Sequence, residues 1–185
     1  MAELALADKV ARLDGAFAAA GIPHAYGGAL ALAYYAEPRV TVDIDVNVFV
    51  EPARFAEVAQ VLRGLGVDTS ADERVVRRDG QVRLWWGRNP IDLFFSYDAV
   101  HEAMRRAARE VPFGDQRIRI LSPEHLLVAK AVFNRAKDWL DIEEMLVAVR
   151  DIDTAEVDRW MDHLAGPDDP RAQRVREMVH ELRGE

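Results

Sequence analysis

Between residues 4 and 20 apolar side chains recur at helical spacing, and the pattern stops at Gly21, a good C-terminal signal. Ile22–Tyr26 then reads as a short strand entering a turn at Gly27-Gly28. Ala29–Ala36 reads as a helix ended by Pro38. From Thr41 to Val50 the period changes to two. Val42, Ile44, Val46, Val48 and Val50 share one face of a strand, and Thr41, Asp43, Asp45 and Asn47 share the other. Glu51-Pro52 opens a helix running to about Leu65, with proline in its first turn. The alternating stretch Arg74–Trp86 contains Asp79-Gly80, a strong hairpin signal, and predicts two strands around that dipeptide. Pro90–Ser96 is a further strand, residues 98–109 a helix, and Val111–Leu121 a strand pair around Gly114-Asp115. Ser122-Pro123-Glu124 carries a cap and an N1 proline and starts a run of helices. These helices are punctuated near Asp151–Thr154 and at Gly166-Pro167.

The order predicts an α/β (α+β) fold: a mixed-sheet core over residues 1–121 and a C-terminal helical region over 122–185. The helical region is expected to pack on the core as one unit, because it cannot bury a core of its own cheaply. At 185 residues the chain is long enough for one sizeable core. There is no cysteine, so disulfides and thiolate chemistry are excluded. No apolar run is long enough to span a bilayer, and the N-terminus does not read as a signal peptide. A cytoplasmic location without a membrane partner is the expectation. The net charge of −8 argues against broad electrostatic capture of nucleic acid. Positive charge is concentrated locally, with Arg74, Arg77, Arg78, Arg83 and Arg88 in one stretch. That stretch is either a basic surface or a solvated face of mixed charge. The chain has 24 Lys and Arg residues, and only Lys9, Lys130 and Lys137 are lysine.

Four constellations carry chemistry. Asp43 and Asp45 lie about 6.5–7 Å apart along one strand face and repel each other, which invites a cation beside them. A hard cation such as Mg²⁺ takes one or two carboxylates together with substrate phosphate oxygens. The alternative is a charged face kept for solubility. Gly27-Gly28, at a strand-to-helix turn, allows close backbone approach to a phosphate; taken alone, a tight turn without a ligand is the plainer reading. Asp92 sits in the apolar strand Ile91-Asp92-Leu93-Phe94-Phe95, where an unpartnered carboxylate is costly. If its strand neighbours that of Asp43 and Asp45, three carboxylates converge; otherwise it caps a loop at a sheet edge. Lys130, Asn134, Lys137, Asp138 and Asp141 fall on one face of a continuous helix. That face is a solvated, ion-paired stripe or a charge-neutralising element for a triphosphate. Trp85, Trp86, Phe94, Phe95 and Tyr97 lie nearby in sequence, with core packing their commoner use and base stacking the alternative. The five histidines show no metal-ligand spacing.

Taken together, Gly27-Gly28, Asp43-Ile44-Asp45 and Asp92 in an apolar strand resemble the nucleotidyltransferase fold related to DNA polymerase beta. Arg135-Ala136-Lys137-Asp138-Trp139-Leu140-Asp141 is similar to the Arg-x-Lys-Asp-x-x-Asp signature of AbiEii and MenT-type toxin nucleotidyltransferases. Arg39-x-Thr41-x-Asp43-x-Asp45 also fits relatives of that group. The resemblance covers about residues 20 to 145. It implies that Asp43 and Asp45, completed by Asp92, hold Mg²⁺, and that Asp92 helps orient or deprotonate an acceptor hydroxyl. It implies that Gly27 and Gly28 contact NTP phosphates, with Arg39, Thr41 and Arg135 in the nucleotide site. Lys130, with Lys137 or Arg135, would counter triphosphate charge, and Asp138 and Asp141 would position that element or the acceptor. The reaction would be attack of a hydroxyl on the α-phosphorus with release of pyrophosphate. One departure is Gly27-Gly28, where the superfamily often carries Gly-Ser and so supplies a hydroxyl missing here. The leading expectation is a toxin of a toxin–antitoxin pair acting on the tRNA 3′ end, with a cognate antitoxin as partner. The alternatives are nucleotidylation of a small molecule or a protein side chain, and a non-catalytic nucleotide-binding module.

Overall fold

The computed structural model describes residues 3–184. It divides into two compact units. The first comprises the chain up to Leu30 together with Val40–Leu121; the second comprises Ala31–Arg39 together with the chain from Ser122 onward.

The first unit holds helix α1 (Leu6–Ala19), strand β1 (His24–Tyr26), strand β2 (Ile44–Val48), helix α3 (Phe55–Gly64), helix α4 (Glu73–Asp79), strands β3 (Gln81–Trp86) and β4 (Asn89–Phe95), helix α5 (Ala99–Ala107), and strands β5 (Arg109–Phe113) and β6 (Gln116–Ile120). A short helix, α2 (Gly28–Leu32), carries the chain across the first boundary. The strands form one six-stranded mixed sheet in the order β3-β4-β2-β1-β6-β5. The α/β architecture expected from the sequence is therefore present. Ile44, Val46, Val48, Leu84, Ile91, Leu93 and Phe95 are fully buried, as the period-two pattern requires. Val10, Leu13 and Phe17 of α1, and Phe55, Val58 and Leu62 of α3, are buried at helical spacing.

Three expectations are corrected here. The aspartate strand is shorter than Thr41–Val50. The Thr41 hydroxyl accepts a hydrogen bond from the Asp43 N–H (3.2 Å), so Asp43 lies in a turn just ahead of the ladder. Arg74–Trp86 is not a hairpin. Asp72 caps a helix by accepting from the Arg74 N–H (2.9 Å), and Gly80 ends it in the left-handed region (φ +65°). An Asp-Gly pair stops a helix as readily as it turns a hairpin. The true hairpin joins β3 to β4 through Gly87-Arg88, with Gly87 at φ +61°.

The second unit contains α6 (Pro123–Phe133), α7 (Ala136–Ala148), α8 (Thr154–Leu164) and α9 (Pro170–Arg183), with breaks ahead of Thr154 and at Gly166-Pro167, as the sequence predicts. The third correction falls here. Lys130 to Asp141 is two helices, not one. Asn134 adopts φ +56° and donates its N–H to the Lys130 carbonyl (3.0 Å), ending α6. Arg135 is extended and opens α7. No helix among the described residues is long and apolar enough to cross a membrane.

Candidate active site

In the first unit, β2 and β4 run parallel with Asp45 directly opposite Asp92. The hairpin places Arg83 of β3 opposite Asp92 in turn. Arg83, Asp92 and Asp45 thus form one row across three strands, on the sheet face away from Ile44, Val46, Leu84 and Leu93. Asp43 precedes Ile44 and adds a fourth charged group at the end of β2. Of the two placements the sequence leaves open for Asp92, a strand beside the aspartate strand is the one observed.

Asp92 is not idle on this face. Arg83 forks both carboxylate oxygens, Nε to Oδ1 at 2.8 Å and Nη2 to Oδ2 at 2.6 Å. That hydrogen bonding raises the guanidinium pKa further above its ordinary value, and the charges of Asp92, Asp43 and Asp45 add to the effect. All three carboxylates therefore act on one arginine. Sequence reasoning missed this role of Arg83, although a two-residue turn at Gly87-Arg88 would have put it opposite Asp92.

The glycine pair belongs to the same cluster. Gly27 donates its N–H to the Asp45 carbonyl (3.0 Å). Gly28 has φ +53°, and a Cβ there would meet the Asp45 carboxylate oxygen at 1.8 Å. A Cβ on Gly27 would lie 3.2 Å from Asn47 Nδ2. The backbone of the turn thus closes directly onto Asp45, which leaves no space for a side chain at Gly28.

Among the described residues no three or more His, Cys, Asp or Glu side chains come together as a metal-holding group. Asp92 spends both oxygens on Arg83 instead. Asp43 and Asp45 still offer the hard oxygen donors that Mg²⁺ takes in ones and twos beside substrate phosphates. The donor set fits such a cation as a pair; Asp92 joins it only by giving up the guanidinium.

A cavity of about 400 Å³ borders the Arg83–Asp92 pair, floored by Val75, Val76, Leu93 and Phe94 and edged by Asp72 and Asp79. The arginines of this stretch do not form a bare basic surface. Arg77 pairs with Glu73, Arg78 with Asp79, Arg83 with Asp92 and Arg88 with Glu3. Arg88 and Lys9 hold the Glu3 carboxyl down at about 2. Of the aromatics, Trp86 and Phe95 are core, whereas Trp85 and Tyr97 are exposed.

The remaining predicted residues lie in the second unit, except Thr41, which is spent on its turn with Asp43. Lys130 is buried and donates to Asp141 Oδ2 at 2.5 Å. Arg39 reaches the same oxygen at 2.9 Å. Asp138, fully buried, accepts from the Arg135 backbone N–H (3.1 Å) and from its guanidinium (2.6 and 3.0 Å). Lys137 is exposed in the first turn of α7. The signature Arg-x-Lys-Asp-x-x-Asp is therefore a helix–turn–helix joint clamped by ion pairs.

Comparison with known proteins adds the family. A family model described as "Nucleotidyl transferase AbiEii toxin, Type IV TA system" matches residues 27–177. Among curated proteins none matches. Among solved structures, the antibiotic-resistance factor ANT(2'')-Ia is 16% identical over 97% of both chains, with a TM-score of 0.64. The lincomycin-bound lincosamide antibiotic adenylyltransferase LnuA is 14% identical, covering 78% of this chain and 98% of its own, with a TM-score of 0.54. An antigenic nucleotidyltransferase-like protein from Paracoccidioides brasiliensis is 14% identical over 97% of this chain and 88% of its own, with a TM-score of 0.52. At these identities the likeness is one of fold.

Proposed function

The chain belongs to the AbiEii nucleotidyltransferase toxin family, and we propose that it transfers a nucleoside monophosphate from an NTP to the 3′-terminal hydroxyl of RNA, with tRNA as the acceptor. The observation that carries this reading is the row Asp45–Asp92–Arg83, closed at one end by the Gly28 backbone against Asp45. Asp43 and Asp45 would hold Mg²⁺. When bound, the cation would neutralise and orient phosphate oxygens. Gly27 and Gly28, whose backbone closes on Asp45, are assigned to the phosphates beside it. Asp92, in line with Asp45, takes the proton of the attacking hydroxyl as the new O–P bond forms and the bond to pyrophosphate breaks. Arg83 holds Asp92 in place and supplies positive charge beside three carboxylates. In the second unit Asp141 fixes the Lys130 ammonium, and Asp138 fixes Arg135. The family places the protein in a toxin–antitoxin system, so a cognate antitoxin is its proposed partner.

Incubation of the protein with total tRNA, Mg²⁺ and each labelled NTP in turn tests the reading. Labelled RNA is expected with at least one nucleotide, and Asp43→Ala and Asp45→Ala should abolish it. No labelled RNA with any NTP overturns it. A second reading, a compact cationic small molecule as acceptor, is favoured by the apolar cavity with its Asp72 and Asp79 edge beside Asp92. Pyrophosphate release with such acceptors but not with RNA would select it.

A further inference from the structure

The sheet face that bears the carboxylates continues outward to Trp85. On β3, Gln81, Arg83 and Trp85 alternate with the inward residues Val82, Leu84 and Trp86, so Trp85 points to the same side as Arg83. Its register partner on β4 is Pro90, which precedes Ile91, the partner of Ile44 on β2. Two strand spacings, about 10 Å, separate β3 from β2.

Trp85 is 48% exposed, whereas its neighbour Trp86 is 6% exposed. A large aromatic side chain normally stabilises a fold by burial, so an indole left half open on a strand is available for a ligand. The platform is not a loop side chain. Its backbone is held on one side by β4 and on the other by Asp68, whose N–H donates to the Trp85 carbonyl at 2.8 Å. The strand is fixed on both sides, so the backbone that carries the ring is set before anything binds.

The strand order says which ligand meets it. Gly27-Gly28 follows β1, on one flank of the β2 aspartates, and Trp85 lies on β3, beyond the other flank. In an in-line displacement the attacking and leaving oxygens stand on opposite sides of the phosphorus. With the leaving pyrophosphate toward the glycine turn, the attacking hydroxyl arrives from the side of β4 and β3. We propose that Trp85 is the stacking platform for a nucleobase at the 3′ end of the acceptor RNA, next to the hydroxyl that Asp92 deprotonates. This rests on the reading of the acceptor as an RNA 3′ end. Stacking tolerates any base, so the platform confers grip rather than sequence preference.

The test is binding of a labelled single-stranded RNA decamer to the full chain by fluorescence anisotropy, using wild type, Trp85→Phe, Trp85→Leu and Trp85→Ala. Trp85→Phe should bind nearly as wild type. Trp85→Leu and Trp85→Ala should weaken binding roughly 5- to 150-fold, the range stacking on an aromatic contributes. Calorimetric affinity for Mg–NTP should stay unchanged in all three. A decamer with an abasic 3′-terminal residue should bind wild type and Trp85→Ala equally. Three results overturn the proposal: wild-type affinity of Trp85→Ala for the intact decamer, an undiminished effect of Trp85→Ala on the abasic decamer, and a loss confined to NTP affinity. In all of these RNA labelling by wild type can still succeed, so the acceptor reading survives. A wild-type protein that neither binds the decamer nor labels RNA overturns both.

Discussion

Gly28 and Asp45 meet at a distance that leaves no room for a methyl group. A Cβ at Gly28 would fall 1.8 Å from the carboxylate oxygen, on a backbone at φ +53°. Gly28→Ala must therefore both strain the turn, at about 1–2 kcal/mol, and push Asp45 aside. The expected outcome is a lower Tm and a loss of RNA labelling of more than roughly tenfold. Gly15 is the matched control. It lies inside α1 with open space within 4 Å of where a methyl group would stand, so Gly15→Ala should raise stability by about 0.5–1 kcal/mol and leave labelling intact. Asp92 separates chemistry from binding. If it takes the hydroxyl proton, Asp92→Asn should slow transfer by about 10²–10⁴ while Mg–NTP affinity measured by calorimetry changes little. A parallel loss of NTP affinity would make Asp92 a nucleotide ligand instead.

At the scale of elements, the aspartates were legible because alternation is local: Ile44, Val46 and Val48 announce one face, and Asp45 must take the other. The partners of those aspartates were not, because register depends on where a turn falls. Reading the turn at Asp79-Gly80 pairs the wrong residues and hides Arg83; moving it to Gly87-Arg88 brings Arg83 opposite Asp92. The break at Asn134 was hidden for a related reason. Asn is an ordinary helix residue until it takes the left-handed conformation, and only then do Lys130 and Asp141 face each other across two helices. Lys9 was missed because a lysine on a helix reads as solvated, yet it is buried, donating to the Trp86 carbonyl (2.7 Å) and Asn89 (2.6 Å) at the hairpin turn. The buried Lys130–Asp141 pair makes the helix joint testable. Asp141→Ala strands the Lys130 ammonium and also releases Arg39, so it should cost about 3–5 kcal/mol in urea unfolding. Adding Lys130→Met should recover part of that loss, because the stranded charge is gone. No recovery would mean that Asp141 stabilises through Arg39 alone.

For the whole molecule, the question is what acid does to a protein of net charge −8 with a sequence pI of about 5.2. Lowering the pH from 7 toward 5 shrinks the net charge, which relieves self-repulsion and by itself favours the fold. Two carboxylates paired with arginine do not titrate in this range. Glu102, beside Arg105 and Arg106, and Asp169, beside Arg171, are held at about 2, so their contribution is lost as the pH falls from their ordinary values of 4.5 and 3.8 toward 2. Two buried histidines act in the opposite direction and earlier. Burial lowers the pKa of both His101 and His125 below the ordinary 6.5. Each unfolded histidine then binds a proton that its folded counterpart refuses, so stability is full above pH 6.5 and falls as the pH drops from there toward the folded pKa. His125 is completely buried. Its Nδ1 meets Ser122 Oγ (2.8 Å), its Nε2 has no hydrogen-bond partner among the described residues, and the Glu156 carboxylate at 3.8 Å only partly offsets the cost of charging it. Tm measured from pH 8 to pH 5 should therefore be level at first and then decline below about 6.5, despite the falling net charge. His125→Asn should lower Tm throughout but flatten the decline, and His101→Asn should flatten it further. A slope that both variants leave unchanged would assign the acid sensitivity to groups other than these two imidazoles.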